Sequence, residues 1–363
     1  MDPRIVALQK RACARGVIGL AGGLPATELM PRDDLARALA EAATHHAVAL
    51  TYDWPEGVEP LRVWIANRLS ARGARVDPQQ VIVTSGAQQA LSLIAMAHRG
   101  ERIAVGDATY PAAIAAFERA GVEVVAHSAD AHYLMPGVSN PRGIDLVEPR
   151  RAWWLGREAL IADEAYTELR FDGRIERPLV ADAPTRVWHV GTLSKTLSPG
   201  LRVGWLVPPR SEHQALLDLK EAADLQTASV TQQASSLFLA RFDYDAHVAR
   251  SRLHYRERAA RLCEALRREL PYARFAEPEG GFAVWVELDE PGDEIGLLHE
   301  AIAAGVTIDP GRAFRPRDAA STISFRASFS SAAIDELAEG AHRLALTVER
   351  WLTRGARAMR RRS

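Results

Sequence analysis

Lys195 lies in the stretch GTLSKTLSPGLRVGW among four hydroxyl side chains, Thr192, Ser194, Thr196 and Ser198, with Arg202 seven residues further on. Most lysines stand in water, yet this one is flanked by small hydroxyl residues and has no neighbouring carboxylate. An amine kept in such surroundings and freed of its proton is a nucleophile for carbonyl carbon. Three other stretches offer matching chemistry. In IADEAY an apolar run ends in Asp163 and Glu164, with Tyr166 three residues after the aspartate; taken alone, Asp163 reads as a helix N-cap. In TSGAQQA, Ser85, Gly86, Ala87 and Gln88 stand between a strand pattern and a helix pattern, where free backbone N–H groups and the helix dipole favour a phosphate. A glycine turn there is by itself more often structural. In GVSNPRG, Asn140 precedes Pro141 in what reads equally as an ordinary turn.

The elements that must carry these residues follow from periodicity. From Val81 the chain alternates short apolar runs with amphipathic stretches: VIVT, then AQQALSLIAMAHRG with Gly100 as the expected helix C-cap, then RIAVG, YPAAIAAFERAG, VEVVAHS, AHYLMP, REALIADEAY and RVWHVGTLS. Strands alternating with helices predict a largely parallel sheet covered on both faces. In such a sheet ligands bind beyond the carboxyl ends of the strands, where the polar residues above fall. After LRVGWLVPP the pattern predicts two long helical periods, Ser211 to Leu239 and Asp243 to Leu270. The strand GGFAVWVEL, a helix through Ala304, the strand TISFRASF and a last helix from Ser331 make a second α/β unit. The division expected is a large domain over residues 46–242 and a smaller one formed by residues 1–45 with 243–363.

Each chemical stretch supplies what pyridoxal phosphate (PLP) requires: a lysine for the imine, an acid for the pyridinium nitrogen, amide and phenol groups for the ring oxygen, and N–H groups with an arginine for the phosphate. With the motifs AGGLP, SGAQQAL, TYP, NPRG, DEAYTELRFDG, SKTLSPGLRVGW, PEGGFAVWVEL and FRASFS in order along nearly the whole chain, the sequence resembles the PLP-dependent aminotransferases of fold type I, class I/II. It is most similar to the branch of 2-aminoadipate and kynurenine aminotransferases and the enzyme-like half of MocR regulators. The resemblance implies the α/β fold of that type, with a mainly parallel seven-stranded sheet in the large domain and a smaller α/β domain. It implies that Lys195 forms the aldimine with the cofactor, that Asp163 pairs with the pyridine nitrogen, and that Asn140 and Tyr166 bind its phenolic oxygen. Tyr110 would stack on the ring. Ala87, Gln88, Thr192, Ser194 and Arg202 would hold the phosphate, with Tyr52 reaching the phosphate of the neighbouring subunit in a homodimer. Arg326, matching the arginine that grips the substrate α-carboxylate, would do so as a planar fork, beside Asn140 and with Gly23 lining the substrate side. Arg312 and Arg315 lie where the family closes its pocket and read equally as solvated arginines.

The chain departs from its relatives in three places. The connection before Tyr133 is short where they carry a helix, Arg142 replaces the usual threonine of NPTG and adds a positive charge near the mouth, and Ala165 replaces a usual proline. The expected reaction is transamination between an L-amino acid and a 2-oxo acid. A PLP lyase, cyclase or oxidase on the same fold, or a non-catalytic PLP-binding sensor, is the alternative; only about twenty residues precede AGGLP, where the regulators carry a DNA-binding domain.

Composition bounds the rest. At 363 residues with 45 Lys+Arg against 46 Asp+Glu, the net charge of -1 offers no field to recruit nucleic acid or a membrane surface. The arginines of RGARAMRRRS read as a solvated tail. Two cysteines, Cys13 and Cys263, are too few for a disulfide framework or a zinc site, so no metal is expected, and they suit a reducing cytoplasm. The start lacks a signal-peptide core, and no apolar run is long enough to span a bilayer.

Overall fold

Two buried clusters, one on each face of a central sheet, organise the molecule. The computed structural model describes residues 3–14, 16–316 and 322–360. Helix α1 (Pro3–Ala14) leads to the short strand β1 (Ile18–Gly19), followed by α2 (Arg32–His45) and α3 (Glu59–Ala71). The apolar runs then form β2 (Ile82–Thr84), β3 (Arg102–Ala104), β4 (Glu123–Val125), β5 (Ala131–Leu134), β6 (Leu160–Asp163), β7 (Val187–Thr192) and β8 (Gly204–Val207). Among the described residues these make a seven-stranded sheet in the order β2-β8-β7-β6-β5-β3-β4. Only β8 runs against its neighbours β2 and β7; the other pairings are parallel. Alternate side chains go to opposite faces: Ile161 joins one core while Leu160 and Ala162 join the other.

Between the strands run α4 (Ala87–Ala97), α5 (Pro111–Ala120) and the short α6 (Arg151–Leu155). After the sheet come α7 (His213–Asp224), α8 (Ser229–Arg241) and the 26-residue α9 (Tyr244–Glu269), whose N-cap Asp243 accepts from the Ala246 N–H at 2.9 Å. The C-terminal third adds β9 (Ala283–Glu287), α10 (Glu294–Ala303), β10 (Val306–Thr307), β11 (Asp309–Pro310), β12 (Ser324–Ser328) and α11 (Glu336–Arg360). An antiparallel sheet β11-β12-β9 forms there, and β1 pairs in parallel with β10, Ile18 opposite Val306. Among the described residues no helix is long and apolar enough to cross a membrane.

Three local expectations need correction. The period Ser211 to Leu239 is two helices, α7 and α8, interrupted at Leu225, which has φ 59. The interruption is tertiary in origin: the Gln226 side chain takes the Asp53 N–H, Thr227 Oγ1 donates to the Val83 carbonyl at 3.2 Å, and Gln232 donates back to the Thr227 carbonyl at 2.7 Å. The C-cap of α4 is His98; Gly100 lies beyond it with φ +84, its N–H donating to the Gly121 carbonyl. Helix α11 begins at Glu336, five residues after the expected Ser331, and its Glu336 carboxylate takes the Ala333 N–H at 3.0 Å in a capping arrangement. The short connection is real: β4 ends at Val125 and β5 starts at Ala131, with no helix between them.

Candidate active site

Strands β6 and β7, in the middle of the sheet, run in parallel and bring IADEAY and GTLSK together at the carboxyl ends of the strands. Asp163, the last residue of β6, is buried. Its Oδ2 accepts from the Tyr133 hydroxyl at 2.7 Å and its Oδ1 from the Ala165 N–H at 3.1 Å. Burial pushes its pKa up, and these two donors, together with the charges of Lys195 and His189, pull the other way. Lys195 follows β7 across a short turn. Its Nζ donates to the Gly23 carbonyl at 2.8 Å, an uncharged partner, and stands 5.4 Å from the centre of the Tyr166 ring. Burial, helped by the positive charge of Arg326, lowers its pKa to about 8. The loop is clamped from α9: the Tyr244 hydroxyl lies 2.7 Å from Thr196 Oγ1, and His247 Nε2 lies 2.8 Å from the Thr196 carbonyl oxygen.

The anion-binding end is built by backbone rather than by charge alone. Gly86, with φ +78, is the N-cap of α4, so the first turn at Ala87 and Gln88 opens at the sheet edge; the leading N–H groups of a helix have no intrahelical partner. Gly204 packs so closely that a Cβ there would come within 2.6 Å of the Gly86 carbonyl carbon. Arg202, in the left-handed region at φ 54, donates from Nη2 to the Ser85 carbonyl at 2.8 Å and lies over Gly86. Thr192 Oγ1 donates to the Val203 carbonyl at 2.8 Å and accepts the Ser194 N–H at 3.1 Å, holding both hydroxyls in the same turn. Gln88 Nε2 donates to the Ala112 carbonyl at 3.0 Å, and its Oε1 is buried without a partner.

On the opposite wall, Arg326 of β12 donates from Nη1 to Asn140 Oδ1 at 2.7 Å. The Tyr166 hydroxyl lies beside Gly23, 3.2 Å from where a Cβ on that residue would stand, and its ring meets Phe282 edge-on at 5.3 Å between centres. Burial pushes the Tyr166 and Tyr110 phenols up to about 12. Tyr110 is the N-cap of α5. Tyr52 is not brought into this cleft; it is 82% exposed. Arg315, equally readable from sequence as solvated, is not free in solvent: it lies 5.6 Å from the Trp285 ring centre, near Glu287 and Glu294. Arg312 is exposed. Arg142 pairs with Asp107 and lies 5.8 Å from the same Trp285 ring, so the positive charge expected at the mouth is compensated.

Two site residues escaped the sequence reading. Tyr133 stands within the strand pattern AHYLMP, where a hydroxyl inside an apolar run is the only signal of its role. Asp309, in VTIDPG, is the partner of Arg326; one acid in an apolar run was its signal.

These residues suit PLP on structural grounds. Lys195 is largely buried with its pKa lowered to about 8, so its amine gives up its proton far more readily than a solvated lysine, Asp163 is a buried carboxylate that a cationic ring nitrogen would stabilise, and the Gly86–Gly204 contact leaves helix N–H groups open to a phosphate. Solved structures place this architecture among PLP enzymes of fold type I. An α-aminoadipate aminotransferase from Thermus thermophilus, complexed with N-(5'-phosphopyridoxyl)-L-leucine, aligns with a TM-score of 0.86 and 30% identity over 96% of each chain. A kynurenine aminotransferase from Pyrococcus horikoshii aligns with a TM-score of 0.90 and 29% identity, covering 97% of this chain and 95% of its own. Residues 15–146 and 157–343 match the family aminotransferase class I and II, and the chain belongs to it. An aromatic-amino-acid aminotransferase from Thermococcus litoralis is 32% identical across 92% of this chain and 88% of its own length. The protein is accordingly a PLP-dependent aminotransferase.

Proposed function

We propose that the enzyme moves an amino group from an L-amino acid to a 2-oxo acid with the residues described above in defined roles. The carrying observation is the Lys195 amine, brought to a pKa of about 8 and held by a carbonyl rather than a carboxylate. Lys195 would hold the cofactor covalently, and its Nζ, when free, is the group placed to take the Cα proton and return it. PLP supplies the electron sink for that proton's departure. Asp163 would hold the protonated ring nitrogen, and the Tyr133 hydrogen bond favours the ionised form of Asp163 against its burial. Asn140 and Tyr166 bind the ring oxygen, and Tyr110 covers the ring face. Ala87, Gln88, Thr192, Ser194 and Arg202 bind the phosphate. Arg326 would fix the α-carboxylate and so limit how the substrate can turn, and Gly23 keeps the space beside it open.

A homodimer with Tyr52 crossing the interface completes the phosphate site. Leu50, Tyr52 and Trp54 support this reading, being 70%, 82% and 72% exposed on one short segment, an apolar cluster of the kind that marks an interface. The division into residues 46–242 and a smaller unit of 1–45 with 243–363 suits closure over successive substrates, and the β1–β10 pairing supports assigning the N-terminal segment to the smaller unit. The low cysteine content favours a reducing cytoplasm.

The test is single-turnover mixing of PLP-loaded protein with a panel of L-amino acids. The expected result is conversion of bound PLP to pyridoxamine phosphate, reversed by 2-oxoglutarate or pyruvate. Ammonia with pyruvate, hydrogen peroxide or a cyclised product without the pyridoxamine form would overturn transamination.

A further inference from the structure

Arg326 is not free to turn toward a substrate in any direction. On the antiparallel pairing of β11 with β12 it stands directly opposite Asp309, and directly opposed residues place their side chains together on one face. Asp309 Oδ2 accepts from Arg326 Nε at 3.1 Å and Nη2 at 2.7 Å. The same oxygen accepts the Gly22 N–H at 2.8 Å, and Oδ1 accepts from Gln9 Nε2 at 2.6 Å. Both residues are largely buried, with side chains 10% and 9% exposed. The plane of the guanidinium is further held by Phe314, whose ring centre lies 4.7 Å from Arg326 Cζ.

A guanidinium has two edges able to take a carboxylate through paired hydrogen bonds. Here Asp309 occupies the edge formed by Nε and Nη2. The other edge, Nη1 with the second proton of Nη2, faces Gly23: a methyl group built at Gly23 would stand 3.6 Å from Nη1 and 3.9 Å from Nη2. The space left by the absent side chain adjoins the terminal edge, where Asn140 already meets Nη1.

We infer that Asp309 is a positioning and specificity residue: by filling the inner edge of Arg326 it presents the outer edge to the substrate α-carboxylate, while tying Gly22 and α1 to the same point. This rests on the reading of Arg326 as the carboxylate site. Asp309 cancels part of the charge of Arg326, so discrimination for carboxylate depends on the geometry of the paired hydrogen bonds more than on attraction. Replacing it with asparagine keeps the size but removes the charge and one acceptor, so the arginine loses its fixed orientation.

The experiment compares PLP-loaded wild-type, Asp309→Asn, Gln9→Ala and Arg326→Leu proteins on two pairs of donors, L-phenylalanine against 2-phenylethylamine and L-leucine against 3-methylbutylamine. Each amine lacks only the carboxylate, and its reaction is followed by loss of the PLP absorbance. Asp309→Asn is expected to raise KM for the amino acids about tenfold with kcat within about twofold, leave the amines unchanged, and so collapse the preference for the carboxylated donor. Gln9→Ala, which loosens only the tie to α1, is expected to keep that preference. If Arg326→Leu retains the preference, the carboxylate reading itself fails. If Arg326→Leu abolishes it while Asp309→Asn retains it, only the role of Asp309 fails. The role also fails if Asp309→Asn slows amine and amino acid equally, or if Gln9→Ala reproduces its effect, since either result marks a general structural change.

Discussion

The Tyr133 hydroxyl and the Asp163 carboxylate, on neighbouring parallel strands, share a 2.7 Å hydrogen bond in the floor of the cleft. Burial drives Asp163 toward its neutral form, and Tyr133 is the first of the groups that oppose it. Loss of that donor raises the Asp163 pKa further, so its protonation extends to higher pH. Tyr133→Phe is therefore expected to lower the half-reaction rate about tenfold, the cost of one hydrogen bond to a charged group, and to move the acid limb of its pH profile upward. Stopped-flow rates across pH check this. Asp163→Ala should lose most of the rate while still binding some PLP, and an unshifted limb in Tyr133→Phe would remove Tyr133 from the mechanism.

The lysine makes a prediction of opposite sign. Its pKa of about 8 in the folded protein lies below the ordinary 10.5. In the cofactor-free protein the unfolded chain thus binds more protons between these values, and stability rises with pH across that window; below about 8 the full penalty of burying the charge is present. Capture of PLP should accelerate with a midpoint near pH 8, because the neutral amine is the nucleophile. Lys195→Ala should abolish the borohydride-trapped link to PLP and remove the rise in thermal stability.

A methyl group tests the anion-binding turn. At Gly204 it would meet the Ala87 nitrogen at 2.7 Å as well as the carbonyl carbon of Gly86, and both are backbone atoms with little room to retreat. Gly204→Ala is expected to cost about 1–3 kcal/mol of stability, the usual range for overpacking, and to weaken PLP binding by tenfold or more. Thermal melts and cofactor titration measure the two. A change in melting temperature with unaltered PLP affinity would separate Gly204 from the phosphate site.

Tyr52 is 82% exposed in its own chain, so the phosphate contact proposed for it requires a second copy. Sedimentation should show a dimer at working concentrations, and Tyr52→Phe should raise the PLP dissociation constant several-fold without altering the fold. An active monomer overturns the interface, and unchanged affinity removes the contact.

The apolar runs of β2 to β8 and the motifs at their ends were legible because strand periodicity and turn chemistry act between residues close along the chain. The expectation of a covered, largely parallel sheet needs nothing more than that alternation of runs. The boundary at Leu225 was not legible, since the local pattern continues as helix while Gln226 and Thr227 bond to segments far away in sequence. Tyr133 beside Asp163 and Asp309 beside Arg326 were hidden for the same reason: their pairing depends on register between strands 30 and 17 residues apart. The types and order of the reactive groups are written in the chain, as is the turn that precedes α4. Which carboxylate meets which hydroxyl or guanidinium, and how far burial moves the Lys195 proton, arise only when separate strands close around a common dry space. Hydrogen-bond geometry and desolvation are properties of that assembled space, which no single segment contains.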